Sequence, residues 1–63
     1  GIEIYGRNGV IAIRTPRRIQ VRVFTILGQL VSQATIGAGT SELRLARGIY
    51  IVKIGNLTQK VAL

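Results

Sequence analysis

The chain has 63 residues, contains no cysteine, histidine, methionine or tryptophan, and carries a formal net charge of +7, with nine Lys and Arg against two acidic residues. This composition excludes disulfides, thiolate or imidazole metal sites, and any nucleophilic centre built on histidine or cysteine. The length allows one domain, and a chain of this size buries only about 60% of the surface that its unfolded form exposes. No apolar run approaches the roughly 20 residues that a bilayer-spanning helix requires, and no signal peptide is visible, so a chain that does not span a membrane is expected. The chain starts at Gly1 and passes directly into Ile-Glu-Ile-Tyr. A fragment of a longer protein, with residues 1–63 as one domain, is therefore the expected organisation.

Turn signals divide the chain evenly at Asn8-Gly9, Thr15-Pro16-Arg17-Arg18, Leu27-Gly28-Gln29, Gly37-Ala38-Gly39, Ala46-Arg47 and Gly55-Asn56. Between them lie runs rich in Ile, Val, Thr and Leu. Strands are predicted over 2–7, 10–14, 19–25, 30–35, 40–45, 48–54 and 57–63. The first two form a hairpin if Asn8-Gly9 is a two-residue turn, which makes Ile4 face Ile13 and Glu3 face Arg14, so that apolar opposes apolar and acid opposes base. In the third strand Ile19, Val21 and Val23 alternate with Gln20 and Arg22, and in the fifth Ser41, Leu43 and Leu45 alternate with Glu42 and Arg44. A period of two throughout, with no helical period competing, predicts a small all-β antiparallel sandwich. Gly37-Ala38-Gly39 lacks the third glycine and the following helix of a phosphate loop and reads as a plain turn.

The last two strands carry the strongest pattern. A two-residue turn at Gly55-Asn56 sets Tyr50 against Val61, Val52 against Gln59 and Ile54 against Leu57 on the side expected to face the core. The opposite side then carries Ile49, Ile51, Lys53, Thr58, Lys60 and Ala62, with Ile51 across from Lys60. Half of that face is apolar and half cationic, which suits a contact surface. Asn56-Leu57-Thr58 matches the glycosylation acceptor pattern, but Asn56 is explained by the turn.

Catalytic chemistry has few residues to use. Glu3 and Glu42 are the only acidic side chains, and a serine or threonine nucleophile finds no base in a recognisable arrangement. The domain is read as non-catalytic and without a cofactor or metal. The positive charge invites anionic partners, yet only Tyr5, Phe24 and Tyr50 are aromatic, too few for the stacking platforms of nucleic-acid-binding sheets, so nucleic acid is not the expected partner.

Two segments carry a family resemblance. Val21-Arg22-Val23-Phe24-Thr25-Ile26-Leu27-Gly28-Gln29-Leu30-Val31, then Gly48-Ile49-Tyr50-Ile51-Val52-Lys53-Ile54 with Lys60-Val61 beyond it, resemble the C-terminal sorting domain (type A) of the type IX (Por) secretion system. The resemblance covers nearly the whole chain and implies a seven-stranded immunoglobulin-like sandwich. It also implies a non-catalytic signal that sends its cargo from the periplasm across the bacterial outer membrane to the cell surface or medium. The implied partners are the outer-membrane translocon and a surface sortase that removes the domain, and the implied recognition residues are Gly48, Ile49, Tyr50, Ile51, Val52, Lys53 and Lys60. Ala46 stands where the family usually has proline, Thr25 where aspartate is common, and the two lysines are farther apart than the usual closing pair. An alternative from a different class is an immunoglobulin-like adhesion or spacer module that binds anionic glycan through Arg14, Arg17, Arg18 and Arg22. The two differ in one simple respect: the sorting reading expects the full-length gene to end at Leu63. A small sandwich with exposed edges is also expected to self-associate weakly through its terminal strands.

Overall fold

The computed structural model describes residues 1–63 and is all-β. Its seven strands are β1 (Glu3–Arg7), β2 (Val10–Thr15), β3 (Ile19–Thr25), β4 (Leu30–Ile36), β5 (Gly39–Arg44), β6 (Ile49–Ile54) and β7 (Leu57–Ala62). They form a three-stranded sheet ordered β1-β2-β5 and a four-stranded sheet ordered β4-β3-β6-β7, with every pairing antiparallel. The pairing of β2 with β5 and of β3 with β6 across the chain is the Greek-key connectivity of an immunoglobulin-like sandwich. No helix is long and apolar enough to cross a membrane.

Both two-residue hairpins have the register that their turns dictate. Ile4 faces Ile13 and Glu3 faces Arg14 in the first; Tyr50 faces Val61 and Ile51 faces Lys60 in the second. The turns differ in kind. Asn8 and Gly9 both have positive φ, at 50° and 79°, as a type I′ turn requires, whereas at Gly55-Asn56 only Gly55, at 55°, is positive, the pattern of type II′. Hydrogen bonds between Gly48 and Leu63, in both directions at 3.3 and 2.8 Å, carry the second ladder one pair beyond its strand bounds.

The core lies between the sheets and is built from Ile4, Ile11, Ile13, Val21, Val23, Val52 and their neighbours. Strand β2 departs from simple alternation, because Val10, Ile11, Ala12 and Ile13 are all buried. As the centre of the three-stranded sheet, β2 has its outward side covered by side chains of the flanking strands. Arg7 of β1 and Glu42 of β5 form an ion pair at 3.9 Å across Val10 and Ala12. Their stems shield the small apolar residues beneath, which matters more than the exposed charge pair itself. Glu3 and Arg14 face each other in register, but the ion pair within 4.0 Å belongs to Arg7 and Glu42.

One lateral side of the sandwich closes where β1 meets β7. A Cβ on Gly6 would lie 2.8 Å from the Ala62 carbonyl oxygen, from Leu63 Cδ2 and from Val61 Cγ1, so only glycine allows this approach. The Gln59 side-chain amide donates to the Ile4 carbonyl at 2.7 Å in the same seam. Gln59 and Leu57 take the core side expected of them but are not covered there. Both are exposed, and of the three inward positions on β7 only Val61, covered by β1, is buried. An edge strand gains a covered inner face only where another strand crosses it.

Candidate functional site

The site is the outward face of the four-stranded sheet. Period-two alternation in β3 and β6 sends Val21, Val23, Tyr50, Val52 and Ile54 inward, leaving Gln20, Arg22, Phe24, Ile49, Ile51 and Lys53 outward. The register aligns them in rows. Leu30, Phe24, Ile51 and Lys60 are successive partners from β4 to β7, and Gln33, Arg22, Lys53 and Thr58 make the adjacent row. An apolar row ending in a cation thus lies beside a row with two cations at its centre.

Two irregularities shape the apolar row. A bulge shifts the β3–β4 register after Val23, so Phe24 pairs with Leu30 and Val31 is the extra residue on β4. The β3–β4 turn then projects Ile26 and Leu27, 61% and 86% exposed, from the end of the sheet. A shallow groove there is lined by Phe24, Ile26, Ile51 and Lys53.

The turn is held by Thr25. Its backbone accepts from the Gly28 N–H at 2.9 Å and donates to the Gln29 carbonyl at 2.8 Å, and its hydroxyl accepts from the Gln29 N–H at 3.2 Å. A side-chain oxygen at this position closes the turn, which an aspartate would also do. Thr25→Val is expected to lower stability by about 0.5–1.5 kcal/mol, the net value of one such bond, while Thr25→Asp keeps it. Urea denaturation of the two variants checks this.

Electrostatically the face is one-sided. Arg22 and Lys53 are direct cross-strand partners, and like charges so placed repel each other. Both find the Phe24 ring: Lys53 Nζ is 5.3 Å from its centroid and Arg22 Cζ is 5.9 Å away. Cation–π attraction of about 0.5–1 kcal/mol at exposed sites offsets the repulsion. No Asp or Glu occurs in β3, β4, β6 or β7; Glu3 and Glu42 both belong to the three-stranded sheet. These strands therefore carry no acidic side chain to balance the cations of this face.

Over residues 1–63 the chain matches the family described as "Domain of unknown function (DUF6383)". It belongs to the DUF6383 family. No curated protein and no solved structure matches it.

In this DUF6383 domain the seven residues singled out by sequence divide into two groups. Ile49, Ile51, Lys53 and Lys60 share the outward face, and the hairpin makes Lys60 a diagonal neighbour of Lys53, which pairs with Thr58. Residues so related have Cβ atoms about 7–8 Å apart, so the lysines are near in space although separate in sequence. Tyr50 and Val52 are 8% and 0% exposed and belong to the core, while Gly48 is half-buried at the strand's start. The Tyr50 hydroxyl donates to the Ala46 carbonyl at 2.7 Å, the tyrosine-corner arrangement of immunoglobulin-like sandwiches. Residue 46 thus serves through its carbonyl, which a proline would also supply.

The four arginines of the glycan reading do not share one surface. Arg14 lies beside Glu3 on the three-stranded sheet, Arg22 projects from the other sheet, and Arg17 and Arg18 are in the loop that joins them. Phe24 and Leu30 are site residues that sequence reasoning did not select. Phe24 has the same parity as Arg22 in an alternating strand, a signal that could have placed it outward; Leu30 depends on the bulge and had none.

Proposed function

We propose that this domain is a non-catalytic sorting module of the type IX secretion system kind. It directs cargo across the bacterial outer membrane through proteins of the translocon, requires no cofactor, and is removed by a surface sortase. The translocon reads the outward face of β6 and β7, through Ile49, Ile51, Lys53 and Lys60, while Gly48, Tyr50 and Val52 hold that face in shape. The observation that carries the reading is the fate of the two resembling segments. Residues 21–31 and 48–61 are separate in sequence, yet they become the neighbouring strands β3, β6 and β7, and their outward side chains form one amphipathic surface. Two departures from the family pattern lend support because each keeps the structural role: the Thr25 hydroxyl closes the turn and the Ala46 carbonyl holds Tyr50.

The test fuses the domain and a short upstream linker behind a periplasmic reporter in a bacterium with type IX machinery. The unaltered fusion is expected at the surface or in the medium. Lys53→Ala with Lys60→Ala leaves every core contact in place and should change stability by no more than about 0.5 kcal/mol each. The doubly substituted fusion is expected to stay folded by circular dichroism and to accumulate in the periplasm. Export that continues unchanged removes the lysines from the recognition surface. Periplasmic retention of the unaltered fusion overturns the sorting function.

A further inference from the structure

At the end of the four-stranded sheet, between the β2–β3 loop and the Gly55-Asn56 turn, lies an open cleft of about 770 Å³. Arg17, Arg22 and Lys53 line it, with the amides of Gln33 and Asn56 and an apolar wall that includes Leu57. No carboxylate is among its lining residues. We infer that this cleft is a binding site for a phosphate monoester carried on a polyhydroxylated group, as in a sugar phosphate or a phosphoinositide headgroup. The inference does not rest on the sorting function: Arg22 and Lys53 also lie on the outward face of the sheet, but Arg17, from the β2–β3 loop, does not.

Three features point to a phosphate. Arg22 and Lys53 are direct partners on paired strands, so an anion between them adds to the relief of their repulsion that the Phe24 ring already gives. Arg17 comes from a different element and is fixed there. The buried Thr15 hydroxyl donates to the Arg17 carbonyl at 2.8 Å and accepts from the Arg17 N–H at 3.3 Å, so both backbone groups of the loop residue are pinned. Two guanidinium groups and one ammonium oversupply a singly charged carboxylate. They match a phosphate monoester, which carries close to two charges and three acceptor oxygens and is bound bidentately by the guanidinium fork.

The other lining residues suit the molecule that carries the phosphate. The volume of the cleft lies within the range of about 300–1,000 Å³ typical of small-molecule sites, well beyond what a bare phosphate fills. Gln33 and Asn56 offer both donors and acceptors, the hydrogen-bonding that hydroxyl groups need. The apolar wall at Leu57 suits the C–H face of a sugar ring or the start of a lipid chain.

The test is a set of NMR titrations of the 63-residue domain in 150 mM NaCl. The probes are glucose 6-phosphate, glucose at equal concentration, and vesicles of phosphatidylcholine with 20% phosphatidylinositol 4-phosphate, whose headgroup carries a phosphate monoester. Saturable shifts of the Arg17 and Arg22 side-chain Nε–H groups and of the Asn56 amide are expected with glucose 6-phosphate and not with glucose. Arg17→Gln and Arg22→Gln should each weaken binding about tenfold, while Arg14→Gln and Arg44→Gln, with the same loss of charge elsewhere, leave it unchanged. Preserved dispersion of the amide spectrum shows that each variant is folded. Binding to the vesicles with these same dependences, but not to the sugar phosphate, supports the site and assigns the lipid as its source. Shifts that never saturate, or that Arg44→Gln weakens as much as Arg22→Gln, overturn it and leave only a solvated basic surface.

Discussion

Gly6→Val is expected to unfold most of the protein at room temperature, and Gly6→Ala to lower its melting temperature sharply. The added Cβ would stand 2.8 Å from three atoms, one of them the Ala62 carbonyl oxygen. Side chains such as Val61 and Leu63 can turn aside. The carbonyl cannot, because Ala62 pairs with Ile49 and the next pair, Gly48 with Leu63, is hydrogen-bonded in both directions. Relief therefore requires β1 to move off β7, which breaks the Gln59 bond to Ile4 and uncovers Val61. Overpacking of this kind costs about 1–3 kcal/mol for one methyl group, and more for a branched side chain. At about 0.05–0.15 kcal/mol per residue, a domain of this length has a total stability of only about 3–9 kcal/mol. Each kcal/mol lost lowers the melting temperature of a domain this small by about 4–8 °C. Thermal denaturation followed by circular dichroism measures the effect. Gly37→Ala is the control, since nothing lies within 4 Å of a Cβ there, and its melting temperature should stay near that of the parent. A Gly6→Ala protein as stable as Gly37→Ala would show that β1 does not close onto β7.

The second large effect is at Tyr50, where sorting and folding can be separated. Tyr50→Ala removes a buried aromatic ring from the face of β6 that contacts Val23 and Val61 through the core cluster. Truncating a buried aromatic to alanine costs about 3–5 kcal/mol, a large share of what this domain has. Loss of both fold and export is expected. Tyr50→Phe keeps the ring and removes only the 2.7 Å bond to the Ala46 carbonyl, at a cost of about 0.5–1.5 kcal/mol. That variant should remain folded and the fused reporter should still be exported, because a side chain 8% exposed offers a partner almost nothing to read. A folded Tyr50→Phe domain that fails in export would mean that the hydroxyl is read directly, and that β6 opens during transport.

The face proposed to contact the translocon was legible in sequence as far as its local physics reached. A two-residue turn leaves no freedom in the register beyond it, so Gly55-Asn56 alone places Ile49, Ile51, Lys53 and Lys60 on one side. Alternation likewise sorts Ile19, Val21 and Val23 from Gln20 and Arg22, since successive side chains of a strand must point to opposite faces. The number of strands, both hairpin registers and the all-β class follow from these two rules. The rows of the site do not. Phe24 joins Ile51 only because β3 pairs with β6, a contact between residues far apart in the chain with no turn to specify it. Leu30 joins the row through a bulge, which adds one residue and reverses the parity on which the alternation rule depends. The same holds for what closes the sandwich. Gly6 is unremarkable within its own strand, and its necessity appears only where β7 crosses it; Gln59 and Leu57 have inward parity but no cover there. Val10 and Ala12 have outward parity yet are buried beneath Arg7 and Glu42, which β1 and β5 bring together. Sequence determined the direction in which each side chain points along its own strand, because that is a property of the covalent pleat. Only the tertiary structure decided what stands in front of it, because burial is set by surfaces that meet through space.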